Sequence, residues 1–271
     1  MKQLHTISGL PRSGSTLLCN LLNMNPRIHA TSTSYIADML RNMRATYSHN
    51  FTARTHNRLM EYNFFRNGLN GFLEGYYSNR DIVLDKDRSW IKDINFLDTI
   101  LGHSDSRFIW SYRNPVDIIN SIERRHQQTI LLESLDEGQG IQSDTLDLRV
   151  DNLLNDNSIL CSPVRWLDDA LKQGYANRIF ILKYEDLVNN TVHTLNEVNN
   201  FIGIPDYNYN IPDLKQNTFE FDGMYNYKFM HNIKEGEVKE FNKPNLLQDY
   251  HIEQINKRFE WLNAITNKKT I

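Results

Sequence analysis

Between Gly9 and Thr16 the chain holds two glycines, three hydroxyl side chains and one guanidinium. The run Gly9-Leu10-Pro11-Arg12-Ser13-Gly14-Ser15-Thr16 fits Gly-x-x-x-x-Gly. Ser-Thr follows where a nucleotide-binding Walker A loop has Lys-Ser/Thr. The glycines let the backbone bend so that its N–H groups gather inward. Those groups and the start of a following helix make a cradle for phosphate. Position 15 is Ser, and the positive charge has moved to Arg12 inside the loop. A kinase or ATPase needs the lysine to reach the β- and γ-phosphates of a nucleotide held with Mg²⁺. This loop is built instead for one phosphate and a neighbouring anionic group.

A second anion site is legible around Arg113. An arginine leaving a buried strand must find an anion. Ser121 follows eight residues on, a little over two helical turns along, and Arg125 lies one turn beyond it. One hydroxyl and two guanidinium groups on that spacing can converge on one phosphate.

The elements that must hold these groups alternate in type. Leu4, Thr6 and Ile7 predict a short strand before the loop, and Leu17, Leu18, Leu21 and Leu22 a helix after it, ending before Pro26. A turn and a short extended piece cover 25–30, and a helix capped by Ser34 follows. Residues 56–77 predict a long helix, loosened around Gly68 and Gly71, with its aromatics in the core. Strands are expected at 81–85, 107–112 and 178–183, each followed by a helix. Asn114 caps one of these helices, with Pro115 in its first position, and Asp186 caps another. Residues 129–160 read as an insertion with helical parts, and 206–245 as a Tyr- and Asn-rich loop region. Its Phe219, Phe221, Tyr225, Tyr227 and Phe229 either cover a ligand or pack beneath the loop. The fold class is therefore α/β: one P-loop-type domain over 1–271, with a central parallel sheet of about four to five strands flanked by helices and its ligand at the strand carboxyl ends.

Bulk properties agree with a globular enzyme. The 271 residues are 40% hydrophobic and 11% aromatic, enough for a sizeable core. A net charge of −3 gives no global field for nucleic acid or an anionic membrane. The two cysteines, Cys19 and Cys161, form no disulfide framework. With no apolar leader and no long apolar run, a soluble cytoplasmic protein is expected. A homodimer is compatible with all of this.

Pro11-Arg12-Ser13-Gly14-Ser15-Thr16 resembles the 5′-phosphosulfate loop of the sulfotransferases, which use 3′-phosphoadenosine-5′-phosphosulfate (PAPS). Arg113-x-Pro115-x-Asp117 followed by Ser121 resembles their 3′-phosphate motif. The spacing of Arg113, Ser121 and Arg125 is similar to that of the tyrosylprotein sulfotransferases and their bacterial relatives. Lys183-Tyr184-Glu185-Asp186-Leu187 and Phe201-Ile202-Gly203-Ile204-Pro205 resemble family segments too. The likeness covers roughly residues 1–30, 80–126 and 178–206, in the family's order. It implies PAPS as cofactor, adenosine 3′,5′-bisphosphate as product and no metal. It also implies that Arg12 and the loop hold the 5′-phosphosulfate, while Arg113 and Ser121 hold the 3′-phosphate. Lys234, in Lys234-Glu235-Gly236-Glu237-Val238, resembles the family's late phosphate loop.

Asp85-Lys86-Asp87-Arg88 resembles the family motif whose lysine meets the bridging oxygen of the phosphosulfate, with Arg88 where proline is usual. A positioned ammonium there stabilises the charge that the breaking S–O bond leaves behind. The chain departs from the family at the general base. The stretch after the first helix, His29-Ala30-Thr31-Ser32-Thr33-Ser34, has no carboxylate. Asp85 is the first candidate, His29 the second and Asp87 the third; a capping Asp or a satisfied His is the competing reading. The acceptor is a small molecule, a carbohydrate or a peptide tyrosine, shaped for by segments near 31–80, 129–160 and 206–245. The competing functions are a P-loop small-molecule kinase and a non-catalytic nucleotide-binding relative.

Overall fold

The computed structural model describes residues 3–55, 58–128, 144–225, 231–239 and 244–266. Five strands, β1 (Gln3–Gly9), β2 (Ile28–Thr33), β3 (Ile82–Lys86), β4 (Phe108–Tyr112) and β5 (Ile179–Lys183), form one sheet in the order β2-β3-β1-β4-β5. Every pairing is parallel. β1 is central, and the chain leaves it for opposite edges, so a crevice opens at its carboxyl end. There the loop at 9–16 leads into α1 (Ser15–Leu22).

Helices cover both faces, as parallel strands buried on two sides require. One core gathers Leu4, Val83, Phe108 and Trp110 from the strands with α2 (Ile36–His49), α4 (Arg58–Tyr76), α5 (Ile94–Leu101), α6 (Pro115–His126) and α8 (Cys161–Lys172). α7 (Leu146–Leu154) joins this core, and the short α3 (Phe51–Thr55) follows α2 without entering it. The other core gathers Ile7, Ile82, Leu84 and Ile109 with α1 and α10 (Thr191–Phe201). Between β5 and α10 runs α9 (Tyr184–Asn189), and the described chain closes with α11 (Asp249–Arg258) and α12 (Glu260–Thr266). Among the described residues no helix is long and apolar enough to cross a membrane.

Most expected elements form. Asn114 Oδ1 accepts from the Val116 N–H at 2.9 Å, with Pro115 in the first helical position. Ser34 does not take the cap position of α2, which is Tyr35; from one residue earlier its Oγ accepts from the Ile36 N–H at 3.1 Å. Three further expectations need correction. α4 runs through Gly68 and Gly71 without loosening, because both face solvent and nothing packs on them. Its buried stripe is Leu69, Leu73 and then Tyr77, while Phe64 and Tyr76 are exposed. Asp186 caps nothing: it lies in the first turn of α9, whose N-cap is Lys183. Part of the predicted insertion, 129–143, lies outside the described residues, as do Tyr227 and Phe229.

His5 in β1 sets a pH dependence of the fold. Its Nδ1 accepts from the Arg107 N–H at 3.1 Å, and burial, with the charge of Arg107, lowers its pKa to about 4. The unfolded chain binds this proton near pH 6.5, the folded chain only near 4. Between those values the unfolded state carries more protons, so stability falls as pH drops through the window. The expected loss is about 3 kcal/mol. His5→Asn, which keeps an acceptor at the Nδ1 position, flattens that limb in denaturant titrations at pH 7, 5.5 and 4. An unchanged limb would refute the assignment.

Candidate active site

The crevice beyond the strand ends is a cavity of about 1360 Å³, and the loop forms its floor. Gly9 stands at φ +126, and a Cβ there would lie 2.3 Å from the carbonyl oxygen of Ser111 on β4. Arg12 itself adopts a left-handed conformation, φ 57, as does Gly14 at φ +83. Such turns shape backbone into an anion-binding concavity, and strain of this kind collects at functional loops. Pro11, Arg12, Gly14, Ser15 and Thr16 all line the cavity. Ser13 does not. Its hydroxyl donates to the Leu10 carbonyl at 2.6 Å and bonds Ser111 Oγ at 2.7 Å, holding the loop from beneath. Its expected ligand role is corrected for the side chain.

Arg113 and Ser121 line the same cavity, and Arg125 is not among its lining residues. Arg12 Nε donates to Ser121 Oγ at 3.3 Å, and Arg113 Nη1 donates to the Arg12 carbonyl at 3.4 Å. The Arg113 guanidinium lies 4.3 Å from the centre of the Tyr184 ring. Burial, followed by the charges of Arg125 and Arg113, pushes the Arg12 pKa down. Arg12 thus stands within reach of two like charges. Arg113 Nε is buried and has no hydrogen-bond partner among the described residues. An unpaired buried donor beside crowded like charges calls for an anion. Lys234 reaches the same cavity from the segment that turns at Gly236, and there it pairs with Glu237.

Asp85 and Lys86 are neighbours in sequence but point to opposite faces of β3, since side chains alternate along a strand. Lys86 Nζ reaches the loop, 3.2 Å from Thr16 Oγ1. Asp85 turns into the core on the other face, where Tyr77 Oη and Trp90 Nε1 donate to it. Burial there pushes its carboxyl up. The expectation that Asp85 is the base beside Lys86 is therefore overturned by the strand's two-residue period. His29 is overturned too. It faces a separate cavity of about 600 Å³, with Arg80, and not the loop. Asp87 lines the main cavity, but its Oδ1 accepts from Ser89 N and Oγ at 2.7 and 2.5 Å, a turn-capping arrangement.

The carboxylate that does meet Lys86 comes from far along the chain. Glu220 Oε1 lies 2.5 Å from Lys86 Nζ and accepts from the Thr33 N–H at 3.0 Å. Its Oε2 is 3.2 Å from His231 Nε2. His231 Nδ1 is 2.5 Å from Asp222 Oδ1, and the His231 N–H donates to Asp222 Oδ2 at 3.1 Å. Two amides, the buried Asn20 and the half-buried Gln216, place this trio. Asn20 of α1 donates to Thr218 Oγ1 at 2.8 Å and accepts from the Thr218 N–H at 3.0 Å. Gln216 donates to the His231 carbonyl at 3.2 Å and accepts from the Ile233 N–H at 2.9 Å. The one sequence signal was Phe219-Glu220-Phe221-Asp222. Acids alternating with aromatics put both acids on one side of an extended segment. Phe219 and Phe221, by contrast, stand exposed at the cavity rim.

The sequence profile of the sulfotransferase family matches residues 6–208, three quarters of the chain, and so spans the loop, Lys86, Arg113 and Ser121. The chain belongs to the sulfotransferase family. Solved family structures share the fold. The sulfotransferase domain from the curacin biosynthetic pathway superposes with a TM-score of 0.58 at 14% identity, covering 96% of this chain and 98% of that one. The sulfotransferase domain of the Synechococcus PCC 7002 olefin synthase gives 0.53 at 18% identity, covering 96% and 94%. A sulfotransferase from Mycobacterium avium gives 0.53 at 13%, covering 97% and 76%. None of the curated proteins matches significantly. Glu220, Asp222 and His231 lie beyond the stretch that the family profile matches.

Proposed function

We propose that this sulfotransferase moves a sulfuryl group from PAPS to a hydroxyl or amine by metal-free in-line transfer. The acceptor is a small molecule, a carbohydrate or a peptide tyrosine. The observation that carries the reading is Arg113 standing against the loop in the same cavity as Arg12 and Ser121, with its buried Nε donor left over for an anion. PAPS carries an anion at each end of its ribose, and this reading assigns one to the loop and the other to Arg113. Arg12 and the loop N–H groups bind the 5′ end, and Arg113 with Ser121 the 3′-phosphate; Arg125 and Lys234 add charge around them. When bound, PAPS supplies an activated sulfuryl group on a phosphate leaving group.

Lys86 then holds its ammonium at the oxygen where charge develops, in a wall that limits water. It is worth more there than in bulk solvent. A kinase loop would carry this ammonium at the position of Ser15; here β3 delivers it beside Thr16. Ser15 and Thr16 orient the loop end of the ligand, and the cavity's rim at Phe219 and Phe221 is where an acceptor enters. Positioning and charge stabilisation supply most of the rate.

Calorimetric titration with adenosine 3′,5′-bisphosphate, run beside ATP with Mg²⁺, tests the reading. The bisphosphate binds without metal, and Arg113→Ala weakens it by about a hundredfold, as expected for loss of a buried charge-assisted contact. Binding of ATP with Mg²⁺ alone would sink the sulfotransferase donor site and favour a small-molecule kinase.

A further inference from the structure

We propose, resting on the donor reading above, that Glu220 takes the acceptor's proton and that Lys86 keeps it silent until the donor is bound. Among the described residues, Glu220 is the carboxylate that touches Lys86 on the cavity side of β3. Lys86 Nζ sits between two demands, 2.5 Å from Glu220 Oε1 and 3.2 Å from Thr16 Oγ1 at the start of α1. A phosphosulfate held in the loop competes with Glu220 for this one ammonium.

The basicity of Glu220 is set by the groups that face it. Lys86 reaches it from β3 and the Thr33 N–H from β2; His231 reaches it from its own segment, backed by Asp222. Beyond Asp222 lies the charge of Arg12. Burial alone would raise the Glu220 carboxyl. The ammonium of Lys86, with the Thr33 and His231 contacts, outweighs it and holds the group below the ordinary carboxylate range. If the ammonium turns to the leaving oxygen, burial remains and its chief opponent is gone. The carboxylate gains basicity at the moment that a base is needed.

The step balances. A lone pair of the acceptor's oxygen or nitrogen forms the bond to sulfur. The S–O bond to the phosphate breaks, its electron pair passing to the phosphate oxygen beside Lys86, and the acceptor's proton passes to Glu220. His231 Nδ1 meets Asp222 Oδ1 at 2.5 Å, which holds Nε2 toward Glu220 at 3.2 Å. His231 and Asp222 are positioning residues in this scheme.

The test uses the full chain and adenosine 3′,5′-bisphosphate, titrated calorimetrically in buffers of different ionisation heat at pH 5.5 and 7. Wild type takes up more protons on binding than Glu220→Gln, and its affinity rises roughly threefold more toward low pH. Lys86→Met removes the difference as well, since no ammonium moves. Retained bisphosphate binding by both variants shows that they fold. Hydrolysis of ³⁵S-labelled PAPS, with water as acceptor, falls at least tenfold in Glu220→Gln at pH 7. No bisphosphate binding by wild type would topple the donor reading itself. Wild-type binding with the same proton uptake in all three proteins overturns the gating. Equal PAPS hydrolysis in wild type and Glu220→Gln overturns Glu220 as the base.

Discussion

Lys86→Met is expected to slow sulfuryl transfer by about a thousandfold while leaving bisphosphate affinity within about threefold. The substitution keeps the aliphatic stem and removes only the charge. That charge stands at the carboxyl end of β3, with its side chain 7% exposed, between the loop and Glu220. Removing one preorganised donor from a developing oxyanion costs 10²–10³ in rate in well-studied enzymes, roughly 3–4 kcal/mol. Here the donor is a full charge in a partly dehydrated wall, which argues for the upper end. The ground-state phosphates keep Arg12, Arg113 and Ser121, so binding survives. Single-turnover transfer from ³⁵S-PAPS and bisphosphate calorimetry give the two halves. A variant with a wild-type rate would remove Lys86 from the chemistry. A variant with normal kcat and a raised KM would reduce it to a binding group.

The second large effect is on stability. Gly9→Ala puts a Cβ 2.3 Å from the Ser111 carbonyl and 2.5 Å from the Ser111 amide nitrogen, at a φ of +126 that side chains rarely adopt. Neither side can yield, because Gly9 and Ser111 are paired residues of β1 and β4. Overpacking and backbone strain together cost about 3–5 kcal/mol, a large share of a typical domain's stability. The variant is expected to melt roughly 10 °C lower. Gly68→Ala is the matched control, since nothing lies within 4 Å of its added Cβ on an exposed turn of α4. It should raise stability by up to about 1 kcal/mol. Equal melting temperatures for the two variants would refute the close packing of the loop on β4.

How much of the site is legible in the sequence depends on distance along the chain. The loop is contiguous, so its glycines, hydroxyls and Arg12 announce it. Arg113 immediately precedes the helix that carries Ser121, and helical periodicity brings both to one cavity. Asp85 and Lys86 show the limit of adjacency. The pair is readable, but which residue faces the cavity depends on which neighbour covers each face of β3. Tyr77 and Trp90 settle that only once the fold exists. Glu220 and His231 are not readable as a pair. They lie in a segment without periodicity, placed by Asn20 and Gln216, and one of those amides is 198 residues from the threonine it binds. Hydrogen bonds of that reach leave no local pattern.

The Tyr184 ring has a consequence for which nucleotides can compete. One face of that ring's surroundings is Gly14, where an added Cβ would come within 2.7 Å of Tyr184 Cδ2; the Arg113 guanidinium sits 4.3 Å from its centre. Loop and arginine therefore meet on one ring as well as through the Arg12 carbonyl, so their positions are coupled. For the proposed donor this fixes Arg113 relative to the loop. On that reading a nucleotide that carries all of its phosphates on one carbon leaves Arg113 without its anion, and a triphosphate is expected to compete weakly.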